Sequence, residues 1–272
     1  MTMAVRATLE IARQTLRLLL QNRLLWLFGL GLLALPVIGY ALVPVIEERH
    51  EVQGRENYAV TTWQLVAFLL MPWTTLYFGV QAVHGDIEDR TFQYLFLRPV
   101  PRASILLGKW LAVAGMCALL CTLAAGMWFV GFALRSSLWP EGLELDLLVA
   151  FVAAIAMGTI AYAAVAVFFA ARFRRPLVWG AMFIVGLQMI LGGLPSRAGI
   201  RYLTITDPLR RFLLEWLEPD RRLAQQLWRL ERDFDPRMIG QPVLNLAIIT
   251  AVALSLALFV YARAEYDSRE RE

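Results

Sequence analysis

The side chains able to do covalent or metal chemistry are few. A chain of 272 residues carries two cysteines, Cys117 and Cys121, two histidines, His50 and His84, and a single lysine, Lys109. A thiolate nucleophile needs a base beside it, and a metal needs several converging ligands. Cys117 and Cys121 are four residues apart, on one face of a helix, inside an apolar run with no histidine nearby. The histidines lie in links on opposite sides of the apolar segments, so neither a His/Cys cluster nor a Cys–His pair can assemble. The expectation is two small residues at a helix contact, no metal site and no catalytic residue. Lys109 follows Gly108, but the glycine that a phosphate-binding loop requires five residues earlier is Ala103. Gly29 and Gly31 form a Gly-x-Gly inside an apolar helix, where they are expected to permit close packing. The chain is therefore expected to bind no cofactor.

The elements that hold these residues are set by hydropathy. Hydrophobic residues make up 59% of the chain, charged residues 18%, and the mean hydropathy is +0.57. That is too apolar for a water-soluble domain and predicts an all-α integral membrane protein. Six apolar runs, at 24–46, 59–83, 104–134, 147–171, 177–195 and 242–262, have about the length needed to cross ~30 Å of hydrocarbon. Outside them remain an N-terminal segment at 1–23, a link at 84–103, a stretch at 196–241 and shorter turns. None is large enough for an independent ATPase domain.

The N-terminal segment is long, basic and periodic, unlike a cleaved signal. Arg6, Glu10, Arg13, Arg17 and Gln21 recur on one side, with Val5, Leu9, Ala12, Leu16, Leu19 and Leu20 on the other. This predicts an amphipathic helix in the membrane interface, with Arg6, Arg13 and Arg17 at the head groups. With a cytoplasmic N-terminus, the inner segments hold fourteen basic residues and the two short outer loops hold three, Arg49, Arg55 and Arg135. The long 196–241 segment adds nine arginines outside, but basic residues near span ends direct insertion more strongly than those within a longer loop. Both termini are therefore expected in the cytoplasm.

The cores of the six runs contain no Asp, Glu, Lys, Arg or His. Ionised groups are kept at mid-membrane chiefly to handle ions, protons or substrate, so a proton-coupled carrier, a voltage sensor and a charged-filter channel are disfavoured. The driving force must come from another subunit. Ala150, Ala154 and Gly158 fall four apart, and Gly186, Gly192 and Gly193 mark the fifth run; close helix approach is expected at both places, in the chain's own bundle or at a subunit interface. In 196–241, Asp207 and Pro208 read as a cap and first helical residue, followed by Leu209, Phe212, Leu213, Trp216 and Leu217 along one side. A second helix is expected from Asp220, presenting Leu223, Leu227 and Leu230. Whether these helices lie on the surface or turn back into the membrane is open.

The link after the second run is the most informative stretch. Asp86, Glu88 and Asp89 suit a helix start, Phe92, Leu95 and Phe96 an apolar face, and Pro99 and Pro101 a stop; Arg98, Arg102 and Lys109 then lead back toward the membrane. An aromatic helix between acidic and basic ends reads as a docking surface.

This link resembles the first intracellular loop of ABC-2 type ABC transporter permeases. Glu88, Asp89, Thr91, Arg98, Pro99, Arg102, Leu107, Gly108 and Lys109 match its acidic pair, turn and Leu-Gly-Lys; Arg90 departs, standing where glycine is common. The layout matches as well: an N-terminal interfacial helix, six spans, a coupling loop at 84–103, a basic turn at 172–176 and extracytoplasmic helices at 196–241. The resemblance implies an ABC-2 type permease fold. It implies a subunit of an ATP-driven exporter in a prokaryotic inner membrane, without ATPase activity of its own. ATP and Mg would sit on a separate ABC ATP-binding subunit, and a second permease copy, identical or homologous, would complete the complex; nucleic acid is not an expected partner. By the same resemblance, Asp86 to Phe96 form the coupling helix, with Phe92, Tyr94 and Phe96 as apolar residues and Asp86, Glu88, Asp89, Arg90, Arg98 and Arg102 as polar ones. Arg172, Arg174 and Arg175 would add contacts. The rival reading is a membrane scaffold or assembly factor that binds partners and moves nothing. An intramembrane enzyme is disfavoured because no catalytic constellation is found.

Overall fold

The computed structural model describes residues 3–47, 54–88, 101–134, 145–190, 204–216 and 241–263. Every regular element among them is helical. In chain order they are α1 (Met3–Leu20), α2 (Arg23–Glu47) and α3, a continuous helix made of Gly54–Thr62, π-helical Trp63–Leu70 and Met71–Glu88. Then follow α4 (Arg102–Ala133), α5 (Leu145–Arg172), α6 (Pro176–Met182, continued by π-helical Phe183–Ile190), α7 (Thr206–Trp216) and α8 (Gln241–Arg263). Five stretches are long and apolar enough to cross a membrane: Arg23–Ala41, Asn57–Gly85, Arg102–Ala133, Leu145–Arg172 and Gln241–Arg263. The apolar run at 177–195 appears as a shorter apolar helix, Pro176–Gln188. Among the described residues the chain is thus an all-helical, multi-pass membrane protein.

Local sequence sets the ends. Asn22 caps α2, its Oδ1 accepting the Leu24 N–H at 3.0 Å, and Pro176 starts α6 at a position where no N–H is needed. In the π-helical part of α3, the Met71 N–H reaches back five residues to the Val66 carbonyl.

Helix α5 is the centre of the bundle, packed on α3, α4 and α8. Lipid tails are as apolar as leucine, so close packing rather than water exclusion decides such contacts. The Ala150, Ala154 and Gly158 stripe makes them possible: both alanines are buried, and a Cβ on Gly158 would stand 2.7 Å from Met71 Sδ and 2.8 Å from Leu209 Cδ1. Helices α2 and α4 meet where a Cβ on Gly131 would fall 2.7 Å from the Pro36 carbonyl oxygen. By contrast, Gly29, Gly31 and Gly186 have nothing within 4 Å of an added Cβ, so no described helix of the same copy packs closely on these three. They lie on faces turned away from the bundle; Gly192 and Gly193 fall outside the described residues. The outer faces are apolar: Trp26, Leu27 and Leu33 of α2 and Leu244, Ile248 and Val252 of α8 are all exposed, as hydrocarbon requires and water forbids.

The first helix divides into three sectors at about 100° per residue. Ala12, Thr15 and Leu19 are buried, Val5, Leu9 and Leu20 are exposed and apolar, and Arg6, Arg13 and Arg17 are exposed and basic. Helix α1 runs beside the first half of α4: a Cβ on Gly108 would meet the Thr8 carbonyl at 2.7 Å, and Leu19 joins Val113, Met116 and Cys117 in one buried cluster.

Candidate functional site

The two ends of the bundle are built differently. At one end, here called the basic end, α3, α5 and α8 finish while α4 and α6 begin. A buried cluster that includes Val83, Ile105, Ala171 and Tyr261 closes it. Lys109 is 3% exposed, and its Nζ donates to the Ala82 carbonyl at 2.7 Å, tying α4 to the last turns of α3. Arg102 Nη1 donates to the Ala262 carbonyl at 3.0 Å and ties the start of α4 to the end of α8. Arg172 and Arg263 close the last turns of α5 and α8, where a helix dipole favours a cation. Arg172 lies 5.9 Å from the Phe173 ring centroid, and Phe173 stacks on Trp179 at 5.0 Å, so the basic turn is braced by aromatic contact. Arg172, Arg174 and Arg175 are exposed on that turn.

The structure carries α3 through Asp86 and Glu88, so these two end a long helix; the sequence reading placed them at the start of a short one. The α3 pattern tolerates them because the helix leaves the apolar region near Gly85. Asp89, Arg90, Phe92, Tyr94, Phe96 and Arg98 lie outside the described residues. The structure thus brings Asp86, Glu88, Arg102, Arg172, Arg174 and Arg175 to one end of the bundle. Arg6 lies in the first turn of α1, while Arg13 and Arg17 continue along its exposed basic face.

At the opposite end, α7 is folded into the bundle. Thr206, Asp207, Pro208, Leu209, Leu213 and Leu214 are buried. Leu209 rests against Gly158, which follows Leu145 by thirteen residues, about 20 Å along α5. The helix start differs from the sequence expectation: Thr204 Oγ1 accepts the Asp207 N–H at 3.4 Å, so the cap is Thr204. Asp207 is instead an ion-pair residue, its Oδ2 2.9 Å from Arg211 Nε, with side chains 4% and 23% exposed. The buried face is also rotated from the expected one, with Leu214 in and Trp216 out, because α7 is enclosed at its start and open at its end. Leu217, Asp220, Leu223, Leu227 and Leu230 lie outside the described residues.

Two side chains hold α7. Gln188 Oε1, in the π-helical part of α6, accepts from the N–H groups of Ile205 at 3.1 Å and Thr206 at 3.4 Å. Trp63, first residue of the π-helical part of α3, has its ring 5.2 Å from the Arg210 guanidinium carbon. Behind them sits an aromatic wall: Tyr58 meets Phe129, Phe132 and Phe151 edge-on at 5.2 to 5.8 Å, and its hydroxyl donates to the Ala125 carbonyl at 3.3 Å.

Sequence reading missed Asp207, Arg210 and Arg211 as polar groups inside the bundle, since they belong to no apolar run. The available signal was Thr204 three residues before Asp207, with Arg211 four after it, an (i, i+4) pair at a helix start. Cys117 and Cys121 are both fully buried, and Cys121 Sγ lies 3.6 Å from Thr74 Oγ1 across α3 and α4, a helix contact as expected. Among the described residues no cluster of His, Cys, Asp and Glu could hold a metal.

No curated protein matches the chain. Over residues 9–266, however, it matches the family described as ABC-2 family transporter protein. That span takes in every helix described above except the first six residues of α1. The chain belongs to the ABC-2 transporter family.

Proposed function

We propose that this chain is the permease subunit of an ATP-driven exporter in a prokaryotic inner membrane. It has six spans, an interfacial α1 and cytoplasmic termini, and a separate ATP-binding subunit carries ATP and Mg. The observation that carries the proposal is the construction of the basic end. The link between α3 and α4 hangs from two helices whose ends are tied by Lys109 to Ala82 and, through Arg102, to α8. A partner that pushed on this link would move α3, α4 and α8 together. Helix α3 runs unbroken from Gly54 to Glu88, so Trp63, in its other half, and Met71, at its midpoint, stand near α7. ATP-driven closure of the partner would then favour one placement of α7 over another, the differential contact that coupling between distant sites requires. Arg172, Arg174 and Arg175 supply further contacts, and a second permease copy completes the complex.

The test is capture of the tagged chain from gently solubilised native membranes, with the double reversal Glu88→Lys and Asp89→Lys as control. A co-purifying ATPase lost in the variant supports the coupling assignment. A chain recovered with no ATPase, under conditions that preserve such complexes, would move the reading to a scaffold or assembly factor. Cysteine labelling at Ser268 from the cytoplasm and at Gln53 from outside checks the orientation; the reverse pattern would place the link on the wrong side.

A further inference from the structure

We infer that the groove between α3, α5 and α6, together with the basic turn at its mouth, holds one anionic phospholipid. Its phosphate lies at Arg172 and Arg175, and one acyl chain lies along the helices. The inference goes beyond the transport reading, because it names a resident partner of the bundle whether or not the chain moves a cargo.

The groove is lined by Pro72 and Leu76 of α3, Val165 and Phe169 of α5 and Phe183 of α6, and contains about 190 Å³ of empty space. At its floor Gly180 lets α6 lie directly on Leu76, where an added Cβ would have no room. Val165, Phe169 and Phe183 are only half-buried, so one side is open to the bilayer. On the α6 bank, Leu177, Val178 and Met182 are exposed and apolar. The groove reaches from Phe169 to Tyr162, seven residues or about 10 Å along α5. Tyr162 is its one polar side chain and stands at the end away from the basic turn. A narrow apolar channel running parallel to the helices suits an acyl chain.

Phe169 joins this groove to the turn. Its ring lies 5.6 Å from that of Phe173, which stacks on Trp179 at 5.0 Å, and the Arg172 guanidinium carbon stands 5.9 Å from the Phe173 centroid. Arg172 follows Phe169 by three residues, about 4.5 Å further out along α5. Arg175 stands on the other bank, where its carbonyl accepts the Trp179 N–H at 3.3 Å in the first turn of α6. Both arginines are exposed, and neither has an ion pair among the described residues. Arg174, exposed on the same turn, has contacts of its own. The acidic groups described at this end belong to other helices, Asp86 and Glu88 to α3 and Glu10 to α1. Cations and an exposed tryptophan at the level where an apolar groove meets the helix ends match the head group and tail of a phospholipid at the membrane interface. Basic residues serving insertion alone would need no groove beneath them.

The test uses the full chain in detergent micelles and native mass spectrometry. It is titrated separately with phosphatidylglycerol, with phosphatidylcholine of the same chains, and with glycerophosphoglycerol, the head group alone. Wild type should retain one phosphatidylglycerol with about tenfold preference over phosphatidylcholine and should not retain the head group. The double variant Arg172→Gln, Arg175→Gln should lose about tenfold in phosphatidylglycerol affinity, whereas Arg13→Gln, Arg17→Gln, which removes the same charge from α1, should change it less than about twofold. Val165→Phe fills the open groove and should weaken retention about tenfold at an unchanged melting temperature. Equal binding of the two lipids, equal loss in both arginine pairs, or full binding by Val165→Phe overturns the site. Should Val165→Phe melt lower, the two arginine pairs decide by themselves. No ATP-binding partner enters the assay, so its failure leaves the permease reading standing, and failure of partner capture leaves the lipid site standing.

Discussion

The basic end and the α7 end solve opposite problems with the same helices. At the basic end, cations reach single backbone carbonyls: Lys109 takes that of Ala82 and Arg102 that of Ala262. These bonds link helix ends, and Arg172, Arg174 and Arg175 stand exposed at the same end. At the α7 end, charge is turned inward: Asp207 pairs with Arg211, Arg210 covers Trp63, and an aromatic wall stands behind. An exposed cation at a helix end can be satisfied by water as well as by a carbonyl. A polar group inside hydrocarbon must find its partner within the protein, so the α7 end should be far more sensitive to substitution.

The largest effect is expected from Asp207→Ala. It leaves Arg211 without its carboxylate in a partly buried place and should destabilise the protein by about 3 kcal/mol, read as a lower melting temperature in detergent. A wild-type melting temperature would mean that α7 is not held in the bundle by this pair. Next comes Gly158→Val, which drives a side chain into Met71 and Leu209 and should cost about 1–3 kcal/mol. Gly186→Ala, at an open position, sharpens the contrast and should change stability by less than about 0.5 kcal/mol.

At the basic end, reversal of Glu88 and Asp89 should lower ATPase capture by about tenfold while leaving melting unchanged, since Glu88 is the last residue of α3 and lies beyond its apolar stretch. A fall in melting equal to that of Asp207→Ala would erase the distinction between the ends. A modest effect is expected from Arg102→Ala, which removes the exposed hydrogen bond to the Ala262 carbonyl and should cost less than about 1 kcal/mol by the same melting assay.

Much of the fold was legible because its determinants are local. The runs at 24–46, 59–83, 104–134, 147–171 and 242–262 each lie on a long apolar helix, with α3 extending past its run at both ends. The close contact at Gly158 was legible from the four-residue spacing of Ala150, Ala154 and Gly158. Spacing did not show that Gly29, Gly31 and Gly186 face away from the chain's own bundle, because a glycine tells nothing of which way its face points until the neighbours are placed. The link motif pointed to the family that the match over 9–266 shows. Its start was misjudged: helical hydrogen bonds carry α3 through Glu88, and acidic residues do not interrupt them once the chain has left the apolar region.

What the sequence by itself determined is the membrane class, the apolar helices and the family, since hydropathy over about twenty residues and a short motif are properties of contiguous chain. What only the tertiary structure decided is the interior of the α7 end. Asp207, Arg210 and Arg211 read as surface charges until α7 turns back against α3, α5 and α8, where Arg210 meets Trp63, 147 positions before it, and Thr206 meets Gln188, 18 positions before it. The dielectric around a charge is set by everything packed near it, and sequence spacing carries no record of that packing.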